Sequence, residues 1–155
     1  MTQEDKKLLL KDLCGRLSYG VKLQHVKNTD SIVELYSIDL DDFYCKIQFY
    51  TYKGKALTAS EEGKLLKPGG KLRFKPYLFP LSSMTEEHIF EINNILGKDF
   101  EIDKYGITDL IRNRRTCLSY LELDTLFEYF NKYHFDYRGL ISMDLAIDCT
   151  NLNIY

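Results

Sequence analysis

The sequence predicts an α+β protein in which an N-terminal helix and a small curved antiparallel sheet, or an SH3/Sm-like barrel, precede a helical C-terminal half with a short terminal strand. First, short segments before residue 75 alternate apolar and polar side chains, as half-buried strands do. Second, later segments repeat apolar residues three and four positions apart, as amphipathic helices do. Third, Pro76 and Pro80 exclude a continuous helix from the stretch between these halves.

The stretch over residues 75–87 divides the chain into two halves. We predict a helix plus β-rich lobe over residues 1–81 and a mainly helical lobe over residues 82–155, packed as one compact unit, because 155 residues are the size of one domain. After the prolines, Ser83 or Thr85 can cap the first turn of a helix. The prolines and the cap together predict a fixed joint.

The composition indicates a cytoplasmic globular chain. The charged start has no following apolar segment of a secretory signal, and no apolar run reaches the ~20 residues that span a bilayer. Four scattered cysteines without a C-x-x-C pair or a neighbouring histidine predict buried, reduced thiols. We therefore expect no metal and no other cofactor. The cysteines are Cys14, Cys45, Cys117 and Cys149.

The chain begins with an amphipathic helix over residues 2–14. Thr2 is the predicted N-cap, and Asp5 stands three positions later, as a capping box requires. Gly15 is predicted to lie near the helix end in the left-handed conformation. The predicted buried stripe is Leu9, Leu10, Leu13, Cys14 and Leu17.

Two strands follow the helix. The first begins at Gly20 and alternates to about residue 26, and residues 27–31 have the composition of a turn. The second strand covers residues 32–38. Its alternation fails at Leu35 and Tyr36, which predicts a β-bulge or burial of both faces.

Three aspartates follow the second strand, at Asp39, Asp41 and Asp42. Carboxylates this close are able to bind a hard cation, but the spacing and the glycine of an EF-hand are missing. A solvated hairpin tip is the favoured interpretation. Beyond the third strand, residues 51–70 are predicted to be a basic loop that leads into a further strand over residues 71–75.

The middle of the chain is strongly basic. Residues 46–75 contain eight basic and two acidic side chains, whereas residues 76–155 contain seven and thirteen. Such a patch attracts an anion such as a nucleotide, RNA or DNA. It is equally able to dock on the acidic half of the same chain or of a second copy.

The third strand, residues 43–52, has the clearest alternation in the chain. One face is apolar, and the other combines tyrosines with a lysine and an amide, which suits stacking on bases or cover by a helix. The following strand adds basic side chains on one face. The candidate binding residues on these strands are Tyr44, Lys46, Tyr50, Tyr52, Lys71, Arg73 and Lys75.

The C-terminal half is predicted to hold two main helices and a last strand. The first helix covers residues 85–96 and ends at Gly97. A capping box at Ser119 opens the second, which stops near His134. Between them we predict an extended piece over residues 100–102, a helical turn over residues 107–112 and arginines over residues 112–115 that grip a phosphate or complement a helix dipole. The final strand covers residues 145–149.

The densest group of reactive side chains is His134, Asp136, Tyr137 and Arg138. A histidine oriented by a carboxylate is able to act as a general base, and an arginine holds an oxyanion or phosphate. No nucleophile, zinc-protease or P-loop motif accompanies them. The structural alternative is a helix C-terminus whose histidine and arginine satisfy terminal carbonyls, with Asp136 paired to Arg138.

Two segments carry a family resemblance. Residues 75–87 read KPYLFPLSSMTEE and residues 130–141 read FNKYHFDYRGLI. Together they resemble a family of small proteins encoded by phages, prophages and mobile elements of gut anaerobes, in which the segments tend to read KPYLRPxSSMTEE and HHFDYRGLI. This chain has Phe79 in place of the usual arginine and Tyr133 in place of the usual first histidine. The family brings no activity to transfer, but it implies a bacterial host.

Three hypotheses of function follow from the sequence. The first is a non-enzymatic accessory protein in the cytoplasm of the bacterial host that binds a host protein, its own copies or a small anionic, nucleotide-like ligand. The second is a nucleic-acid-binding module that uses the basic tyrosine-rich face. The third is an enzyme that uses His134 and Asp136. Arg138 joins the strand residues as a predicted ligand-binding side chain, with His134, Asp136 and Tyr137 as secondary candidates; no membrane partner is expected.

Overall fold

The computed structural model describes residues 1–39, 46–53, 56–65, 71–97 and 118–155. The predictions for Asp41, Asp42, Tyr44, Cys45, Cys117 and residues 100–102 and 107–115 lie outside these ranges. So do those for the side chains of Asp39, Lys46, Tyr50 and Tyr52. The helices are α1 (Gln3–Arg16), α2 (Glu86–Leu96) and α3 (Tyr120–Lys132), and the strands are β1 (Lys22–His25), β2 (Asn28–Asp39), β3 (Lys46–Lys53), β4 (Ala56–Lys64), β5 (Phe74–Leu78) and β6 (Ile147–Asp148).

The six strands form one curled, half-barrel mixed sheet in the order β4-β3-β2-β1-β5-β6. Neighbouring strands are antiparallel from β4 to β5, and β6 joins β5 in parallel. The α+β class is therefore confirmed, with the N-terminal helix, the curved sheet, the later helices and the short last strand in the predicted order.

The hairpin between β1 and β2 is tighter than the sequence predicted. The turn occupies Val26 and Lys27, and β2 already begins at Asn28. The imidazole Nδ1 of His25 accepts the main-chain N–H groups of Lys27 and Asn28, each at 3.1 Å, and so closes the turn from the side. The predicted bulge is confirmed, because the register of β2 against β3 shifts between Leu35 and Ser37.

The prediction of a loop over residues 51–70 is wrong for its larger part. Ala56–Lys64 form β4, which pairs with the whole of β3. The segment reads ALTASEEGK, which is poor in the β-branched and aromatic residues that favour strands. The partner strand therefore decides this element, since β3 offers an unpaired edge of N–H and C=O groups that β4 satisfies.

The strand predicted over residues 71–75 lies further along the chain, at Phe74–Leu78, within the proline-containing joint. Pro76 is tolerated there because it faces Leu23 of β1 in a position that needs no N–H donor. The N–H of Val26 donates to the carbonyl of Arg73, so every second residue after Arg73 points its main-chain N–H and C=O groups toward β1. Pro76 is not one of these residues, and its nitrogen therefore faces away from β1. The joint is thus a strand inside the sheet rather than a connector between lobes.

Local signals place the helix ends. Thr2 with Asp5 and Ser119 with Glu122 form the predicted capping boxes, and Thr85, one of the two predicted candidates, caps α2. The prediction for Gly15 is wrong, because α1 continues through it to Arg16. The left-handed residue is Gly20, with φ 64°, after a short 3-10 helix over Leu17–Tyr19.

Two clusters of buried side chains form the core. One lies between α1 and the sheet, and Leu140, Leu145 and Ala146 join it from the C-terminal half. The other lies between α2, α3 and Phe135. Cys149 is buried as predicted, but Cys14 is exposed because it lies on the outer face of α1. Within the described ranges, no helix has the length and apolar character needed to cross a membrane.

Candidate functional site

The buried face of α1 contains a charged pair. Residues at i, i+3, i+4 and i+7 from Leu9 are buried, and two of these positions are Asp12 and Arg16. The guanidinium of Arg16 donates from Nε to Asp12 Oδ2 at 2.7 Å and from Nη2 to Asp12 Oδ1 at 3.0 Å. Both side chains are fully removed from solvent, so this bidentate ion pair lies in the protein interior.

Arg16 also holds the C-terminal end of α3. Its Nη1 donates to the carbonyl of Phe130 at 3.2 Å, and its Nη2 donates to the carbonyl of Phe135 at 2.8 Å. These carbonyls belong to the segment that contains the predicted reactive residues. The sequence predicted that His134 and Arg138 would satisfy the carbonyls at this helix end; instead, an arginine from α1 reaches them across 114 residues of sequence.

Arg138 lies beside the same buried pair. Its Nε is 3.3 Å from Asp12 Oδ1, although the angle does not allow a hydrogen bond. Its Nη2 donates to the hydroxyl of Tyr137 at 2.7 Å, and the guanidinium lies 4.6 Å from the centroid of that ring. Arg138 is thus occupied by the protein's own groups.

Asp136 makes no hydrogen bond or ion pair with Arg138, so the predicted pairing of these two residues is wrong. Its two carboxylate oxygens accept the N–H groups of Leu140 and Ile141, each at 2.8 Å. Burial raises the pKa of this carboxyl, and these two hydrogen bonds oppose the rise. The carboxylate therefore organises the turn that follows it.

His134 is covered by Tyr155. The two rings stack with their centroids 4.0 Å apart, and the Tyr155 hydroxyl donates to the carbonyl of Tyr77 and accepts the N–H of Lys22. His134 has φ 58°, which ends α3, and its Nδ1 makes no hydrogen bond. Burial, helped by the nearby charges of Arg16 and Lys22, lowers the pKa of His134 to about 4, so the imidazole is neutral at pH 7.

The structure brings His134, Asp136 and Arg138 together with Asp12 and Arg16. We call these five residues the buried polar cluster. The same region joins the two segments that carry the family resemblance. The N–H of Phe79 donates to the carbonyl of His134 at 2.9 Å, and the N–H of Asp136 donates to the carbonyl of Phe79 at 2.7 Å. The two segments are therefore one structural unit.

The basic candidates of the β-rich half do not converge on a site among the described residues. Lys71 is exposed, Lys75 is paired with the carboxylate of Asp144, and Arg73 reaches the ring of His25 with its Nε 3.4 Å from Nε2. Arg138 is in the buried polar cluster instead. The Lys75–Asp144 pair shows one contact of the kind expected if the basic segment docks on the acidic half.

An open groove between α2 and α3 was not predicted. Its volume is about 430 Å³, and Asn94 of α2 and Thr125 of α3 contribute to its walls. The side chain of Ile95 on α2 is 52% exposed and also lines the groove. The remaining lining consists of three tyrosines, two glutamates and a lysine: Tyr19, Tyr129, Tyr133, Glu91, Glu128 and Lys132.

The groove has a hydrogen-bonded aromatic floor. The Tyr129 hydroxyl donates to Glu91 Oε2 at 2.8 Å, and its ring lies 4.6 Å from that of Tyr133. His88 contacts the ring of Tyr133 edge-on at 5.5 Å, so α2 supports the floor from its inner side. Burial raises the pKa of Tyr129, and the bond to Glu91 and the charges of Glu91 and Glu87 raise it further.

The charged side chains at the rim are less engaged. The carboxylate of Glu128 makes no hydrogen bond or ion pair within the part of the chain that the structure describes. The ammonium of Lys132 lies 4.9 Å from the centroid of the Tyr133 ring and does not pair with Glu128, although the two are four residues apart on α3. The groove thus presents polar groups that the fold does not use.

The described residues offer no cluster of three or more histidine, cysteine or carboxylate side chains able to hold a metal ion. Glu128 and Lys132 stand four residues apart on α3, and no pattern in the sequence indicates that α2 lies beside them. The contact of α2 with α3 was the missing information.

No protein-family model, no curated protein and no solved structure matches this chain.

Proposed function

We propose that this protein is a non-enzymatic binding protein that docks a segment of a partner protein in the groove between α2 and α3. The observation that carries the proposal is the groove itself, an open concavity of about 430 Å³ with tyrosine side chains on its floor and walls. Tyrosine is favoured at recognition surfaces because its ring supplies apolar contact while its hydroxyl stays hydrogen-bonded.

The contacts of the reactive side chains in the buried polar cluster argue against catalysis at that place and so favour a binding function. Tyr155 covers His134, and both oxygens of Asp136 accept main-chain N–H groups. A general base needs an approach to the proton that it removes. The contacts of these two residues instead serve the fold.

The family resemblance supports the biological setting of the proposal. The resemblance is to small proteins of phages and mobile elements, which are made inside a bacterial host. The segments that carry the resemblance, 75–87 and 130–141, include Thr85 at the start of α2 and the last residues of α3, so both reach the helices that form the groove. We therefore propose a host protein as the partner.

Selection of peptides from a random display library tests the proposal. Enriched peptides would be measured by fluorescence anisotropy against the wild-type protein, Tyr133→Ala and the control Tyr120→Ala, which removes a 94% exposed tyrosine at the other end of α3. We expect Tyr133→Ala to weaken binding at least about tenfold and Tyr120→Ala to leave it unchanged.

Two results would overturn the proposal. One is a set of peptides that bind Tyr133→Ala as tightly as the wild type. The other is a selection that yields no peptide above background. Circular dichroism of both variants checks that any loss of binding comes from a folded protein.

A further inference from the structure

We infer that the groove between α2 and α3 recognises a cationic group, namely an arginine or lysine side chain of the partner segment. This inference rests on the proposed function and assigns the chemistry of the bound residue. It follows from the arrangement of carboxylates and aromatic rings in the groove.

The first step is the balance of charge. Glu91 on α2 and Glu128 on α3 face the groove from opposite walls, and Lys132 is the single cation among the described residues that line it. Tyr129 occupies one oxygen of Glu91 and leaves the other available. Glu128 has both oxygens available within the described part of the chain. Two carboxylates on opposite walls are able to hold one guanidinium or ammonium between them.

The second step is the aromatic lining. The face of a tyrosine ring attracts a cation that comes within about 6 Å of its centroid. This protein already shows the interaction at Tyr133, whose ring has the ammonium of Lys132 at 4.9 Å. A partner cation that enters the groove competes with Lys132 for the same ring, and it gains the carboxylates that Lys132 does not reach.

The third step concerns anions. Burial is the main cause of the raised pKa of Tyr129, and the carboxylates of Glu91 and Glu87 add to it because they disfavour a further negative charge near the floor. A phosphate or carboxylate ligand meets the same repulsion. The small anionic ligand considered from the sequence therefore does not suit this groove, and a basic segment does.

Paired probes test the inference. ¹⁵N-labelled protein would be titrated with N-acetyl-arginine amide and with N-acetyl-citrulline amide, which has the same shape without the charge. We expect arginine to shift the amide signals of Asn94, Thr125 and Glu128, and citrulline to bind at least about tenfold more weakly. The arginine affinity should fall with added salt, since the attraction is between charges.

Three variants locate the effect. Glu128→Gln should weaken arginine binding about five- to tenfold, whereas Glu86→Gln, which neutralises an exposed carboxylate in the first turn of α2, should leave it unchanged. Lys132→Met should strengthen arginine binding because it removes the competing internal cation. A Glu128→Gln variant that binds arginine as tightly as Glu86→Gln overturns the inference.

The results separate this inference from the proposed function. Equal shifts with arginine and citrulline would overturn the preference for a cation and leave the groove as a binding site. Selected peptides that bind at the groove without any basic residue would do the same. No shift with either probe overturns the cation inference; if peptide selection fails as well, both proposals fall.

Discussion

The buried polar cluster and the groove between α2 and α3 contain similar residue types and use them in opposite ways. In the cluster, Arg16 directs four hydrogen bonds to Asp12 and to two main-chain carbonyls, and none of its surface is exposed. In the groove, Glu128 faces open space without a partner among the described residues.

The difference shows that reactive residue types alone do not mark a functional surface. His134, Asp136 and Arg138 are close in sequence and resemble a catalytic group, yet their contacts are with the protein's own groups. Apart from Tyr19, the groove residues come from α2 and from α3 and its C-terminal end, and they form no motif in the sequence. What separates the two regions is whether the fold already satisfies their polar groups.

The largest effect is expected from breaking the cluster at Arg16. Arg16→Met leaves the carboxylate of Asp12 and two carbonyls buried without their donor, and it should lower the free energy of unfolding by about 3–5 kcal/mol. Urea unfolding at pH 7, monitored by circular dichroism, measures this change in the free energy of unfolding. Lys11→Met, on the exposed face of α1, is the control and should change stability by about 0.5 kcal/mol or less.

The double variant Asp12→Leu/Arg16→Met sharpens this result. It removes both charges, so it should be more stable than Arg16→Met alone, although the carbonyls of Phe130 and Phe135 still lack a donor. Arg16→Met and Lys11→Met with equal stability would refute the view that the cluster is structural.

The next effect concerns pH. The pKa of His134 is about 4 in the folded protein and about 6.5 in the unfolded chain, so the unfolded chain binds more protons between these values. Stability should therefore be complete above pH 6.5 and fall by about 3 kcal/mol as the pH drops to 4. The raised pKa of Asp136 has the opposite effect on stability: the folded protein binds this proton more tightly than the unfolded chain, so the carboxyl favours folding as the pH falls.

His134→Asn isolates this contribution, because asparagine tolerates the positive φ and has no titrating group. Urea unfolding at several pH values should show a steeper loss of stability toward acid in the wild type than in the variant. Parallel pH profiles would mean that His134 is not held neutral by its burial.

A smaller effect is expected where α1 meets α3. A Cβ added at Gly15 would lie 2.9 Å from the Nδ2 of Asn131, so Gly15→Ala should destabilise the protein by about 1 kcal/mol despite its higher helix propensity. In an Asn131→Ala background the contact is gone, and the same change should stabilise by up to about 1 kcal/mol. Thermal unfolding of the four proteins measures this coupling, and additive effects would exclude it.

The smallest effect on stability is expected in the groove. Glu128→Gln should change the free energy of unfolding by about 0.5 kcal/mol or less, because the carboxylate has no partner to lose. The same urea measurement applies. A loss comparable to that of Arg16→Met would mean that the groove, like the cluster, serves the fold.

Local features were the most predictable from the sequence. The capping boxes at Thr2 and Ser119 and the end of α2 at Gly97 depend on residues within a few positions of one another. Their hydrogen bonds close within that distance, so residue type and spacing decide them.

Features that depend on a partner distant in sequence were missed. The strand β4 exists because β3 offers its edge, and Gly15 lies inside α1, where the absence of a Cβ leaves room for Asn131. The buried pair on α1 had a usable signal, since Asp12 and Arg16 fall at i+3 and i+7 from Leu9, on the same stripe as Leu13. Charged residues on an apolar stripe indicate a buried pair when they stand four apart.

The sequence by itself determined where the helices begin, the α+β class and which residue types were available for chemistry. Only the tertiary structure decided which of those residues are consumed by the fold and which face solvent. The physical reason is that a polar group is satisfied by whatever lies within about 3 Å of it. For Arg16 that partner stands 114 residues away, and for Glu128 no described residue supplies one.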